Sequence, residues 1–226
     1  MPIINIDGRL IINTDEVNMT EVRRYSGRYE VTNYIVDVSD EVKEECWSFA
    51  QRIILGGNQF DRLLPAGLSD EDIAKLRRIQ RTYCGKIAEV AFAICAAKRG
   101  HSCSTTGMLT IYPGQRNVDS YDFITKLNET IDCKAAFRPI HRNLLVNLDQ
   151  IKKGVKDYYV AVKLNAEDLD PSNKIISPDS INQAEIWGYA DGSYINNLEN
   201  EDFGEGECKA LLLERTMGID RLINQI

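Results

Sequence analysis

A chain of 226 residues and 25.6 kDa is long enough for one domain with a core of ordinary size, and 43% hydrophobic with 27% charged residues excludes a disordered or fibrous chain. Six cysteines without a C-x-x-C pair, beside only two histidines, argue against a zinc finger, a histidine-built metal centre or a secreted disulfide framework. The net charge of −7 hides a partition: residues 1–74 carry 7 basic and 14 acidic groups, 75–165 carry 16 and 7, and 166–226 carry 4 and 13. A basic middle framed by acidic ends predicts a local surface for a polyanion.

The start, Met1-Pro2-Ile3-Ile4, lacks a basic segment followed by an apolar one, and the apolar stretch Ile87 to Ala97 is far short of the ~20 residues of a membrane span. A soluble, cytoplasmic protein without a membrane partner is expected. In chain order, Arg9–Ile12 and Tyr29–Val36 have the β-branched and aromatic character of strands. Ser39-Asp40 then opens a helix with acidic residues in its first turn, and Gly56-Gly57-Asn58 ends it. Pro65-Ala66-Gly67 marks a turn, so residues 1–68 are read as strands and a helix decorating a core that occupies 69–226. Ser69-Asp70-Glu71-Asp72 is a capping-box pattern opening a second helix, which Gly85 breaks or bends before the apolar run to Ala97. Beyond it, Met108–Tyr112, Tyr121–Lys126 and Thr130–Ala136 are predicted strands. Leu144–Val155 is a predicted helix, and Asp157–Leu164 the next strand. A polar loop from Ala166 to Asn182, a strand at Glu185–Tyr189, a strand at Cys208–Leu213 and a short helix from Gly218 complete the chain. The alternation predicts an α/β fold with a central mixed sheet flanked by helices.

Two features carry chemistry. Residues 87–97 place the single carboxylate of Glu89 among ten apolar side chains, and a buried carboxylate needs a cation, a strong donor or a water-filled cleft. In Thr130-Ile131-Asp132-Cys133-Lys134-Ala135-Ala136, strand alternation projects Asp132 and Lys134 from one face while Ile131, Cys133 and Ala135 enter the core. If Leu127-Asn128-Glu129 is a three-residue hairpin loop, Asp122 lies opposite Lys134, with Asp132 a diagonal neighbour ~7–8 Å away on the same face. No nucleophile elbow, phosphate-binding glycine loop or H-E-x-x-H motif is present, and Gly204-Glu205-Gly206 lacks the rest of a dinucleotide fingerprint.

From Gly85 to Leu164 these residues resemble the PD-(D/E)xK nuclease superfamily: Glu89 on the first helix, Tyr121-Asp122-Phe123 in place of Pro-Asp-Phe, and Asp132-Cys133-Lys134 as the (D/E)xK. Tyr121 departs from the family's proline, and Asp119 is an alternative first aspartate. The resemblance implies a restriction-endonuclease-like core and a Mg²⁺-dependent endonuclease, with Mn²⁺ as substitute. Glu89, Asp122, Asp132 and Lys134 are then catalytic. Asp122, Asp132 and Glu89 hold the metal, and Lys134 positions the attacking water. Arg138, His141, Arg142, Lys152 and Lys153, with Lys126 and Lys156 nearby, are expected to meet the phosphates of double-stranded DNA, and Gln150 is a weaker candidate. A type II restriction enzyme acting as a homodimer is the leading expectation. A repair or recombination nuclease and a catalytically silent DNA-binding module stand beside it.

Overall fold

In the computed structural model the described residues are 3–56, 71–112, 121–137, 141–166, 178–204 and 206–226. Strands β1 (Ile3–Ile6) and β2 (Arg9–Ile12) form a separate hairpin. Its Asp7-Gly8 turn has both residues at positive φ, 50° and 81°, the backbone that Asp-Gly pairs adopt most readily. β3 (Met19–Ser26) and β4 (Tyr29–Asp37) form a second hairpin, absent from the sequence reading except for its second strand. Helix α1 (Asp40–Leu55) starts as expected at Ser39, whose hydroxyl accepts the Val42 N–H. Its buried face runs through Val42, Cys46, Phe49, Ala50 and Ile53, one side of a 3.6-residue period.

Helix α2 (Glu71–Lys98) is 28 residues long and passes through Gly85 without a break, which corrects the expected interruption. A lone glycine costs a helix only about 1 kcal/mol relative to alanine. Burial of Tyr83, Cys84, Ile87 and Ala88 around it outweighs that loss. Of the sequence-predicted cap of this helix, Ser69 and Asp70 lie outside the described residues, as do Gly57-Asn58 and the Pro65-Ala66-Gly67 turn.

The fold is α/β, centred on a mixed six-stranded sheet in the order β3-β4-β9-β8-β6-β5, with β5 (Phe123–Ile124), β6 (Thr130–Ala136), β8 (Tyr158–Ala166) and β9 (Ile181–Asp191). All neighbours are antiparallel except β6 and β8, which run parallel and therefore need a crossover between them. Two short elements, β7 (Asn143–Asn147) and α3 (Leu148–Lys153), lie in that connection. β7 joins a second sheet with β11 (Glu207–Leu212) and β10 (Asn200–Asp202); α4 (Gly192–Asn196) and α5 (Asp220–Ile223) complete the described strands and α-helices.

Both faces of the central sheet are covered. Val160, Val162 and Leu164 of β8 enter the core shared with Ile87, Ala91 and Phe92 of α2. Tyr159 and Ala161, one residue out of phase, enter a smaller core with Leu144 and Val146 of β7 and Leu211 of β11. Burial on both sides explains why Tyr158–Leu164 reads as a nearly continuous apolar run.

Three predicted elements need correction. Met108–Tyr112 is not a strand: its first residues form turns, with Met108 and Leu109 serving the core from a loop, and Gly107 at φ 79° bends the chain ahead of them. Leu144–Val155 is not one helix. Its first half is β7, because Leu144 and Val146 alternate into the smaller core and pair with β11. Tyr121–Lys126 shortens to the two residues of β5. Among the described residues no helix is long and apolar enough to cross a membrane.

Candidate active site

The β5–β6 hairpin turns one residue earlier than its sequence suggests. Thr125 N–H bonds the Glu129 carbonyl at 2.9 Å, so the loop is Lys126-Leu127-Asn128, and Asn128 takes the positive φ of 62° that closes it. Phe123 pairs with Ile131 and Ile124 with Thr130. This register does not set Asp122 across from Lys134, as a loop of Leu127-Asn128-Glu129 would have done. The Asp122 N–H is itself directed to Ile131, the residue already opposite Phe123, so the ladder is irregular at Asp122, and the shared face is fixed only for Asp132 and Lys134, two apart on β6.

Asp122 is tied to β6 twice. Its N–H donates to the Ile131 carbonyl at 2.9 Å, and its Oδ2 accepts the Cys133 N–H at 2.7 Å. Lys134 Nζ lies 2.7 and 2.6 Å from the two oxygens of Asp132, with both side chains about 15% exposed. The same ammonium lies 5.8 Å from the centre of the Tyr159 ring, whose strand is paired with β6. Cys133 turns inward with Ile131, and burial together with the carboxylates around it pushes its thiol well above the usual range.

Glu89 comes from α2. Its Oε2 is 2.6 Å from Lys86 Nζ, one helical turn away, and both side chains are nearly buried at 12% and 15% exposure. Lys86 also sits 5.4 Å over the Phe49 ring. The carboxylate expected to need a partner inside an apolar helix thus has a cation beside it. Asp122 feels both regions. Burial pushes its carboxyl well above the ordinary value, the charges of Glu89 and Asp132 add to this, and Lys134 and Lys86 oppose it. A cleft of about 340 Å³ opens where Lys86, Glu89 and Asp122 meet the segment around Ser104 and the Tyr112 and Tyr121 rings.

Among the described residues no three His, Cys, Asp or Glu side chains converge closely enough to hold a metal ion as they stand. The donor set is nevertheless oxygen-only, the chemistry Mg²⁺ and Mn²⁺ select. Burial first, and then the charges of Glu89 and Asp132, raise the proton affinity of Asp122.

The basic residues are more scattered. Lys126 is exposed at the hairpin tip, Arg142 is exposed, and Lys152 and Lys153 are exposed in the last turn of α3. Lys152 lies 3.7 Å from Asp149 and Lys156 donates to the Gly154 carbonyl, while His141 packs edge-on against Phe137. Gln150 is an exposed residue of α3. Arg138 and Asp119 lie outside the described residues.

Two neighbours of the site escaped the sequence reading. Lys86 carries a visible signal, its three-residue spacing from Glu89 on a helix. Tyr159 carries none, since only the β6–β8 register brings it near Lys134. Comparison of the chain with protein-family models, with curated proteins and with solved structures finds no match.

Proposed function

We propose that this protein hydrolyses DNA phosphodiester bonds with a divalent metal ion, as an endonuclease with a restriction-endonuclease-like core. The observation that carries the reading is that Asp122 bonds to β6, the strand of the Asp132–Lys134 pair, and feels the charges of both Asp132 and Glu89 of α2. The order α2, hairpin, crossover and parallel strand supports it, because the resemblance drawn from Glu89, Asp122 and Asp132-Cys133-Lys134 implies such a core.

Asp122 and Asp132 are the proposed holders of Mg²⁺ or Mn²⁺, with Glu89 as the third carboxylate. The ion, when bound, supplies Lewis-acid stabilisation of the phosphoryl oxygens and a water acidified toward neutral pH. Lys134 supplies a fixed positive charge at the scissile phosphate and orients the attacking water. Asp132 holds that ammonium in place, and the Tyr159 ring backs it. Duplex DNA is the proposed substrate, with Arg142, Lys152 and Lys153 as phosphate contacts and Arg138 and His141 as further candidates. Cutting of a palindromic site calls for a two-fold dimer. The six free thiols suit a reducing, cytoplasmic setting.

One observation favours a second reading, a silent DNA-binding module of the same fold. Asp132 and Glu89 are each already matched by a lysine, the pattern of a structural ion-pair cluster. Supercoiled plasmid incubated with Mg²⁺ and resolved on a gel separates the readings. Nicked and linear products are expected from the endonuclease. Plasmid left intact while linear DNA is degraded from its ends identifies a repair or recombination exonuclease. DNA that is bound but never cut identifies the silent module.

A further inference from the structure

The first hairpin of the central sheet carries side chains that the carboxylate site does not use. β3 and β4 pair from Met19 and Val36 to Ser26 and Tyr29, but β4 pairs with β9 only over Tyr34–Asp37. Further along β9, Tyr189 instead makes an antiparallel bridge to Met217. The end of the hairpin therefore leaves the sheet as an arm. Its base is anchored: the Arg24 guanidinium donates to the Trp187 carbonyl at 2.6 Å and to the Thr216 hydroxyl at 2.8 Å, and the Ser26 hydroxyl donates to the Thr216 carbonyl at 2.9 Å. The tip stands clear. A Cβ built on Gly27 would meet no atom within 4 Å, and Tyr25 and Tyr29 are 68% and 78% exposed. Arg28 is exposed and has no ion-pair partner among the described residues. Tyr25 pairs with Glu30 and Ser26 with Tyr29, so the two rings belong to opposite faces of the ribbon.

We propose that this arm is a second contact to duplex DNA, taking backbone phosphates through Arg28 and the hydroxyls of Tyr25 and Tyr29. The proposal takes the identity of the polyanion from the nuclease reading and adds a surface outside the carboxylate site. Local charge favours it: residues 22–31 hold Arg23, Arg24 and Arg28 against Glu30 alone, although residues 1–74 as a whole are acidic. Glu30 is matched by Arg23 at 3.2 Å, which leaves the Arg28 charge unopposed. Arginine and tyrosine side chains both donate to phosphate oxygens, and a two-stranded ribbon is narrow enough for a major groove of ~12 Å. Position favours it as well. β4, β6 and β8 run in one direction, so the loops leading into them share one end of the sheet. The arm and the exposed Lys126 both lie in such loops, and β4 and β6 are three strand spacings, or ~14 Å, apart. That is less than half of the ~34 Å repeat of a duplex, so a single duplex reaches both.

The test measures anisotropy of a fluorescently labelled duplex of about two helical turns, in EDTA so that nothing is cut, over a series of salt concentrations. Arg28→Ala is expected to weaken binding and to reduce the slope of log affinity against log salt by about 0.9, the loss of one phosphate contact. Tyr25→Ala/Tyr29→Ala is expected to weaken binding roughly tenfold with the slope unchanged, because the lost donors are neutral. Arg9→Ala, the same charge change at an exposed position of β2, is expected to stay within about twofold of the parent. Circular dichroism checks folding, and if the tyrosine pair fails to fold, the salt slope of Arg28→Ala decides the matter. Parental affinity and slope in the folded arm variants, an equal loss in Arg9→Ala, or a parent that binds no duplex overturns the proposal. Sedimentation without DNA supplies the rival outcome: self-association of the parent that the arm variants lose assigns the arm to a second copy of the chain and overturns the DNA contact. Plasmid cleavage in Mg²⁺ by a protein whose arm variants bind DNA like the parent removes the arm and spares the nuclease. Arm-dependent binding in a protein that never cuts plasmid supports the arm and removes the nuclease.

Discussion

Two lysine–carboxylate pairs frame the candidate site, one on the sheet and one on the helix. Asp132 and Lys134 are two apart on β6, so strand alternation alone sets them side by side, and both carboxylate oxygens contact the same ammonium. Lys86 and Glu89 are three apart on α2, where a helical turn brings them together through one oxygen. Both pairs are 12–15% exposed, and each lysine rests over an aromatic ring. Asp122, just ahead of β5, accepts the Cys133 N–H and feels the charges of both pairs. Asp132 and Glu89 are each compensated within their own element, whereas the lysines that lower the Asp122 carboxyl belong to other elements.

The largest expected effect separates the pairs by role. Asp132→Asn keeps the shape of the side chain and removes the charge proposed to hold metal, so plasmid cleavage in Mg²⁺ should fall on the order of 10³-fold or more with unchanged circular dichroism. Lys134→Ala should lose activity comparably yet still bind Mn²⁺ in a titration, since lysine is not a ligand. Cleavage at parental rates by both variants breaks the proposed asymmetry and leaves the silent module.

The helical pair should show its importance in stability. Lys86→Met leaves the Glu89 carboxylate nearly buried without its partner at 2.6 Å, and urea unfolding should record a loss of about 2 kcal/mol. Adding Glu89→Gln should restore part of that loss, because the uncompensated charge is gone. Strict additivity of the two changes would show that the pair is not coupled.

Asp122 should respond in the opposite direction. Its folded value is raised above the ordinary carboxylate value of 3.8, so between the two the folded state holds more protons than the unfolded one. Stability contributed by the protonated form is complete below 3.8 and is lost as pH rises toward the folded value. Asp122→Asn keeps an oxygen for the Cys133 N–H and has no charge to bury. In EDTA its urea midpoint should exceed the parent's at neutral pH, and the difference should shrink as the pH falls toward 3.8. A difference that is constant with pH contradicts the raised value.

The smallest effect belongs to an exposed counterpart. Asp149 and Lys152 on α3 are 3.7 Å apart but 60% and 66% exposed. Asp149→Ala should cost no more than about 0.5 kcal/mol in the same urea assay, with the little there is screened by salt. A loss equal to that of Lys86→Met would remove burial as the source of the contrast.

The parts of the site that sequence revealed were those governed by a local period. Asp132 and Lys134 share a face because strand side chains alternate, and Ile131 and Cys133 fill the core for the same reason. Ser39 announces α1 because a hydroxyl there satisfies a free N–H of the first turn. Glu89 stands out because a charge among apolar neighbours needs a partner. Leu144–Val155 misled because its apolar residues fit both a helical and a strand period. Pairing of β7 with β11, more than sixty residues away, chose the strand. Met108 and Leu109 misled similarly, since a loop folded back on the core buries apolar side chains as well as a strand does.

The hairpin marks the boundary between the two kinds of information. From residue order alone, strand alternation determined that Asp132 and Lys134 share one face. Where the strand before them meets β6 depended on Asn128 adopting positive φ and on Thr125 bonding Glu129. The same holds for Lys86 beside Glu89, fixed by helical spacing, against Tyr159 beside Lys134, fixed by the parallel register of β6 and β8. Periodicity is a property of the backbone and is written in neighbouring residues. Register and packing are settled by contacts between segments distant in the chain, whose energies no single segment contains.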